Sequence, residues 1–310
     1  MNDRMSTEVN TGVDIDDSSR QQTETWAVSG AQVAALTIYP VKSTVGIDVT
    51  TIELDARGAT GDRRWLLVDE AGAAITAREC HAMLRIVPSF LDAADRDGGV
   101  QLAADGEPSL QVHVPPPDAQ RRRVVVWDDA IMAHDAGEEA AAWCTRVIGR
   151  ETRLVRLFDE SRRPLKAKYA GPLSHEGRDV AFTDGAPLMM LGLPGIAALE
   201  DRLAAQGRAL TMDRRRFRAN VWLSGLEPHA EDRWLRLRIG DVALGAGTLC
   251  SRCVLTTVDP DTREQGTEPL RTLAGYRRID GLVMFGVNVT HAAPGRIHVG
   301  DPVVVEAFRT

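Results

Sequence analysis

From Val33 onward the apolar residues of this chain fall in short runs separated by turn residues. Examples are Leu36-Thr37-Ile38-Tyr39, Trp65-Leu66-Leu67-Val68 turning at Asp69-Glu70-Ala71-Gly72, Leu110-Gln111-Val112-His113-Val114 and Val124-Val125-Val126-Trp127. Strands this short and this frequent predict a barrel or sandwich, with Pro115-Pro116-Pro117 joining two of them. One helix interrupts the pattern: Ala140, Trp143, Cys144, Val147 and Ile148 recur at helical spacing. Asp135 with Glu138 is the expected amino-terminal capping pair and Gly149 the terminator, which puts Cys144 on the buried face as a small core hydrophobe. A second helix is expected from about Leu193 to Gln206, with Ile196, Leu199 and Leu203 on one face and Gly207 after it. Strict alternation in Trp234-Leu235-Arg236-Leu237-Arg238-Ile239 returns the chain to strand.

Two segments lack the pattern. Residues 1–30 are polar, rich in Ser, Thr, Asp and Gln, and cannot offset their ordering entropy by burial, so a disordered tail is expected. Between Glu160 and Gly177 the elements Ser161-Arg162-Arg163-Pro164 and Gly171-Pro172 break the periodicity, which divides the chain into domains at 31–160 and 177–307. The length of 310 residues with 44% hydrophobic content is compatible with two cores. There is no internal repeat.

Composition then narrows the partners. The net charge of −7 argues against nucleic acid over the whole surface while leaving room for a local basic pocket. No run approaches the roughly 20 apolar residues of a membrane span, and no signal peptide is evident. The cytoplasm, with thiols reduced, is the expected compartment.

The chemistry concentrates at Cys250 and Cys253, in Leu-Cys-Ser-Arg-Cys-Val-Leu-Thr-Thr-Val-Asp-Pro-Asp-Thr (residues 249–262). Such a pair can be a zinc half-site, a redox dithiol or coincidence. The other cysteines, Cys80 and Cys144, are isolated, so no second zinc half-site exists. A thioredoxin-type pair would open a helix, whereas Val254-Leu255-Thr256-Thr257-Val258 is β-branched and reads as strand. One thiolate remains as ligand to a metal whose other ligands come from elsewhere, for instance from a cofactor. The histidines His81, His113, His134, His175, His229, His291 and His298 form no helical pair or triad.

The run from Cys250 to Thr262 resembles the signature of the MOSC-domain molybdenum proteins, in the branch containing the mitochondrial amidoxime-reducing component and its bacterial relatives. Ile38-Tyr39-Pro40-Val41-Lys42-Ser43, Gly61-Asp62-Arg63-Arg64-Trp65-Leu66, Thr76-Ala77-Arg78, Arg216-Phe217-Arg218-Ala219-Asn220, Ile239-Gly240-Asp241 and Gly300-Asp301-Pro302-Val303 agree in order. The resemblance implies a β-rich α+β fold, an N-terminal MOSC-type β-barrel domain followed by a C-terminal MOSC β-barrel domain with a few helices. It implies the molybdenum cofactor, a molybdopterin, with Cys253 as metal ligand and Cys250 buried beside the site. It places Lys42, Ser43, Arg63, Thr183, Arg218, Asn220, Ser251 and Arg252 at the cofactor, where guanidinium forks suit a phosphate or pterin carbonyl and Asn220 offers both donor and acceptor. Asp184, in Thr183-Asp184-Gly185-Ala186, is the expected proton relay, although the family more often has Ser or Thr where this chain has Gly185 and Ala186. The clusters Arg121 to Arg123 and Arg214 to Arg216 also read as solvated faces.

What the resemblance implies for activity is two-electron reduction of an N-hydroxylated substrate, an amidoxime, hydroxamic acid or N-hydroxylated base, independent of pyridoxal phosphate. The chain stops shortly after Gly300-Asp301-Pro302, so no ferredoxin-like extension is expected, and four cysteines cannot bind a cluster at ferredoxin spacing. Electrons must then come from an external ferredoxin or cytochrome with its reductase. The alternative is a non-catalytic MOSC module carrying sulfur or cofactor.

Overall fold

The computed structural model describes residues 26–174 and 177–309. Residues 1–25, most of the expected tail, and His175 lie outside them. The amino-terminal half holds β1 (Trp26–Ile38), β2 (Ile47–Val49), β3 (Thr51–Asp55), β4 (Gly58–Ala59), β5 (Trp65–Val68), β6 (Val87–Phe90), β7 (Gly99–Ala104), β8 (Glu107–His113), β9 (Arg121–Val126), β10 (Asp129–Asp135), α1 (Glu138–Ile148) and β11 (Arg153–Arg156). The remainder holds β12 (Leu188–Gly192), α2 (Leu193–Ala205), β13 (Val221–Ser224), β14 (Trp234–Ile239), β15 (Val242–Ser251), α3 (Leu270–Ala274), β16 (Arg278–Ile279), β17 (Leu282–His291), β18 (Gly295–His298) and β19 (Pro302–Phe308). The fold is β-rich, as expected, and no described helix is long and apolar enough to cross a membrane.

Seven strands close into a barrel, in the order β12-β13-β1-β19-β14-β15-β17, with β17 pairing back onto β12. Closure leaves no unpaired edge. The seam needs a strand between β13 and β19, and the chain supplies it from its amino-terminal end: Leu36 pairs with Val221, and Trp26 with Val305. One expectation is corrected here. Residues 26–30 belong to a strand rather than to the tail, because β19 provides the hydrogen-bond partners that their composition does not announce. The amino-terminal half is also tied to the barrel, since β1 is a barrel strand, β2 pairs with it and β3 pairs with β18.

The barrel wall shows why β12 reads as a continuous apolar run. Leu188 and Met190 point into the barrel core with Leu36, Val287 and Leu237, while Met189 and Leu191 point outward against Ile196, Leu199 and Leu203 of α2. Both faces of a strand are therefore buried. Glycine Gly192 caps α2 without a side-chain hydrogen bond, so the helix is held by its apolar face, each buried aliphatic side chain contributing about 1.5–3 kcal/mol.

The amino-terminal half packs two smaller sheets, β5-β11-β10-β9 and β6-β7-β8, with α1. Cys144 is fully buried in that core, where desolvation pushes its thiol up to about 12. The capping expectation is corrected: Gly137 precedes α1 with no side-chain cap, and Asp135 instead accepts from the Gly137 amide at 2.8 Å and pairs with Arg122 and Arg153. Gly149 ends the helix in the left-handed conformation, as expected.

Candidate functional site

Where the small sheets meet the barrel, loops from both halves line a cavity that opens to solvent. Lys42 and Ser43 follow β1, Arg63 precedes β5, Thr183 and Asp184 precede β12, Arg218 and Asn220 precede β13, Ser251 ends the barrel strand β15, and Arg252 and Cys253 follow it. All ten residues line that one cavity. Its lining carries six cations, Lys42, Arg63, Arg78, Arg216, Arg218 and Arg252, against the single carboxylate of Asp184. Such a surface selects an anion.

Backbone strain accumulates at the same place. Among the described residues, seven non-glycine positions have positive φ, and four of them, Ser43 (69°), Arg63 (48°), Trp127 (56°) and Arg218 (55°), line the cavity. Each costs on the order of 1–3 kcal/mol and persists only where neighbours over-determine it. Arg63 is held because its amide donates to the Tyr39 carbonyl at 2.7 Å and its carbonyl accepts from Phe182.

Tyr39 organises the arginines. Its buried ring lies under the guanidinium carbons of Arg63 at 4.4 Å and Arg218 at 4.3 Å, and its hydroxyl donates to the Ala219 carbonyl. Burial raises the Tyr39 pKa against the opposing pull of Arg218 and Arg63. Arg63 donates to Asp62 at 2.6 Å and to Asn220 Oδ1 at 3.2 Å. Burial lowers its pKa, and Asp62, Tyr39 and Asp184 together more than offset that, for a net rise. Arg218 has no such carboxylate: Nη1 donates to the Thr44 carbonyl at 2.7 Å, Nη2 is buried without a partner, and burial pushes the group down to about 10. A buried donor left unpaired costs about 1–3 kcal/mol, which a bound acceptor would recover.

Lys42 is buried, donating to the Phe182 carbonyl at 2.9 Å and to Asp184. Burial lowers it to about 8 against the pull of Asp184. Burial would raise Asp184, but Lys42, Arg78 and Arg63 hold it well below the usual carboxylate range. The Asp184 side chain is nevertheless 57% exposed towards the cavity, so the burial contribution is the weaker of these opposing effects and the carboxylate is ionised. Its loop is anchored by Arg163, whose Nη1 donates to the Ala181 and Thr183 carbonyls at 2.6 Å each. Gly185 has a steric reason: a Cβ there would lie 2.6 Å from the Tyr169 ring.

At the cysteines the expected strand is corrected. Val254–Thr257 is a 3-10 turn preceded by Cys253, in which Thr256 and Thr257 hydroxyls donate to the carbonyls of Cys253 and Val254 at 3.0 and 2.7 Å. Those local bonds outweigh β propensity. Cys250 sits on β15, partly buried against the Phe217 and Phe285 cluster, and both thiols line the cavity. No group of three or more His, Cys, Asp or Glu among the described residues is arranged to hold a metal ion.

Two expected contacts are already committed to the fold. Asn220 is 1% exposed; its Nδ2 donates to the Thr37 carbonyl and Asp62, and its Oδ1 accepts from the Met189 amide and Arg63. Arg252 donates to the carbonyls of Phe285 at 2.7 Å and Phe217 at 2.8 Å and approaches the Met189 sulfur. Other lining residues carried no role in the sequence: Thr76, Arg78, Trp127, Met189 and Asn288. Arg216 is no solvated face, being buried against Asp259 of the Asp-Pro-Asp turn at 2.6 Å, and that acidic turn was the available signal.

Comparison with known proteins matches residues 30–151 to the MOSC N-terminal beta barrel domain and residues 177–304 to the MOSC domain. The chain is 34% identical to mitochondrial amidoxime-reducing component 1 of Homo sapiens over 87% of its own length and 82% of that protein's. It belongs to this MOSC family. The Mus musculus counterpart is 33% identical over 87% and 81% of the two chains. A molybdenum cofactor sulfurase of Oryza sativa is 30% identical over 88% of this chain but only 33% of its own. In this MOSC protein the two matched segments contribute facing walls of one cavity, Lys42, Arg63 and Trp127 from the first and Arg218 and Cys253 from the second.

Proposed function

We propose that this MOSC protein is a molybdenum-cofactor-dependent oxidoreductase that reduces N-hydroxylated compounds, namely amidoximes, hydroxamic acids and N-hydroxylated bases, with electrons from an external partner. The observation that carries this is Cys253: a thiol that belongs to no group of three or more potential metal ligands among the described residues, on a cavity whose lining has six cations to one carboxylate. A molybdopterin fits that donor set, because its dithiolene completes the ligand shell that the protein lacks, and its phosphate supplies the acceptor that buried Arg218 Nη2 is missing. When bound, the cofactor supplies a metal that exchanges two electrons with substrate.

In that arrangement Cys253 holds the metal. Lys42 and Arg218 hold anionic oxygens of the cofactor, with Ser43, Thr183 and Ser251 at its polar edges. Arg63 acts through Tyr39, Asp62 and Asn220 to fix the wall, and Arg252 fixes the strand ends beside Cys253. Conversion of N–OH to N–H and water consumes two protons along with two electrons. Asp184, open to the cavity and hydrogen-bonded to Lys42, is the group placed to pass them. The reaction is assigned to the cytoplasm.

The test is elemental analysis of protein made in a cofactor-competent host, followed by turnover of benzamidoxime with an artificial donor. Molybdenum retained with turnover is expected; molybdenum retained without it would favour the cofactor-carrier reading suggested by the sulfurase relative. NADH or NADPH alone should give no reduction, and a ferredoxin or cytochrome with its reductase should restore it, at a rate sensitive to partner concentration and ionic strength. Steady NADPH-dependent reduction by the isolated chain would overturn the external-donor assignment.

A further inference from the structure

Trp127 is out of place by every rule that governs the other tryptophans. Trp65, Trp143, Trp222 and Trp234 are each 2% exposed or less, whereas Trp127 is 42% exposed. It is the first residue of the two-residue turn between β9 and β10, where Val126 pairs with Asp129, and its φ of 56° lies in the left-handed region that favours glycine. A large aromatic side chain there adds strain and leaves apolar area in water, a cost that the hairpin turn itself does not require.

Its ring instead forms part of the cavity that Cys253 lines. The Arg78 guanidinium carbon stacks 4.4 Å from the ring centroid and Lys42 Nζ lies 5.9 Å from it. Arg78 is itself tied to Asp184 at 3.1 Å, so the indole is braced by a fixed cation while 42% of the residue stays exposed. An open, braced, π-rich surface beside a redox centre suits one kind of ligand group, a flat one.

We propose that Trp127 is the platform on which the planar part of the substrate stacks, making the enzyme selective for N-hydroxylated compounds that carry an aromatic or conjugated group over small aliphatic ones. The inference rests on the reduction proposed above and names the substrate class within it. The surrounding cations disfavour positively charged substrates, so the preferred ligand is neutral as well as flat.

The experiment compares benzamidoxime with acetamidoxime, using cofactor-loaded protein and an artificial donor, in the wild type, Trp127→Phe and Trp127→Leu. The ratio of kcat/KM for the aromatic over the aliphatic substrate should fall about tenfold in Trp127→Leu, equivalent to about 1.4 kcal/mol, through KM rather than kcat, and Trp127→Phe should keep most of it. A second readout needs no turnover. Benzamidoxime should quench wild-type tryptophan emission saturably, and most of the quench should be lost in Trp127→Phe, because the other tryptophans with described side chains are buried. An unchanged ratio in Trp127→Leu, or an undiminished quench in Trp127→Phe, overturns the platform. If the wild type reduces neither substrate, the reductase assignment fails by itself and the quench decides the platform: lost in Trp127→Phe it stands, absent from the wild type it falls.

Discussion

The Lys42 ammonium, from the loop after the first strand, is hydrogen-bonded to the carboxylate of Asp184, 142 residues further along the chain. The pair joins the two halves of the protein at the cavity, and it sets the charge that an anionic ligand meets. Asp184 stays ionised throughout the physiological range, so the variable partner is Lys42, which burial lowers to about 8.

Anion retention should therefore weaken as pH rises through about 8, where Lys42 loses its proton. The linkage to stability has the opposite sign: the folded pKa lies below the unfolded value near 10.4, the unfolded chain binds more protons between the two, and apoprotein stability should rise with pH across that window. Phosphate titrations from pH 6.5 to 9.5 check the first statement. Lys42→Arg keeps its charge and should flatten the profile; an equally steep fall in that variant would assign the pH dependence elsewhere.

Cys253→Ser should abolish both metal retention and reductase activity, because a hydroxyl is a poor ligand for a soft metal. Cys250→Ser should leave at least partial activity, since its thiol packs against the Phe217 and Phe285 cluster. Comparable losses of metal and rate in the two variants would mean a paired-cysteine site instead.

Arg218→Ala should cut cofactor retention by about one to two orders of magnitude, the loss of a charge-assisted hydrogen bond worth roughly 1.5–3 kcal/mol. Removing the unpaired Nη2 also removes a desolvation penalty, so apoprotein stability should fall less than retention does. Molybdenum content measured against thermal midpoint separates the two, and unchanged molybdenum would rule Arg218 out as an anchor.

Asn220→Ala should do the reverse. Its four hydrogen bonds join Thr37, Asp62, Arg63 and Met189, so truncation should destabilise the apoprotein by about 2–4 kcal/mol, leaving buried partners unsatisfied. Denaturant unfolding of apoprotein reads this directly. A variant with wild-type apoprotein stability and poor cofactor retention would restore Asn220 as a direct cofactor contact.

Gly185→Ser introduces a hydroxyl into the Asp184 loop, but its Cβ would meet the Tyr169 ring at 2.6 Å. The thermal midpoint should fall by several degrees, as expected for about 1 kcal/mol or more of overpacking, and Tyr169→Ala should recover most of the loss. Failure of the double variant to recover would show that the loop backbone, and not the ring, resists the side chain.

Sequence by itself determined the family and roughly where its motif residues lie. The ten residues picked from the Cys250–Cys253 signature and its companion motifs all line one cavity, because motif residues keep their identity and order along the chain wherever the fold carries them. Short apolar runs also declared the β-rich fold, since their period is local. What only the tertiary structure decided depends on partners distant in the chain. Residues 26–30 read as tail because strand pairing with 304–305 leaves no mark on composition. Val254–Thr257 read as strand because a hydroxyl bonding its own backbone competes invisibly with β propensity. Asn220 and Arg252 read as free cofactor donors because the carbonyls and carboxylate that occupy them come from distant parts of the chain, and Trp127 read as the end of a strand because the left-handed turn between β9 and β10 and its place beside Arg78, far from it in sequence, leave no mark on the local apolar pattern.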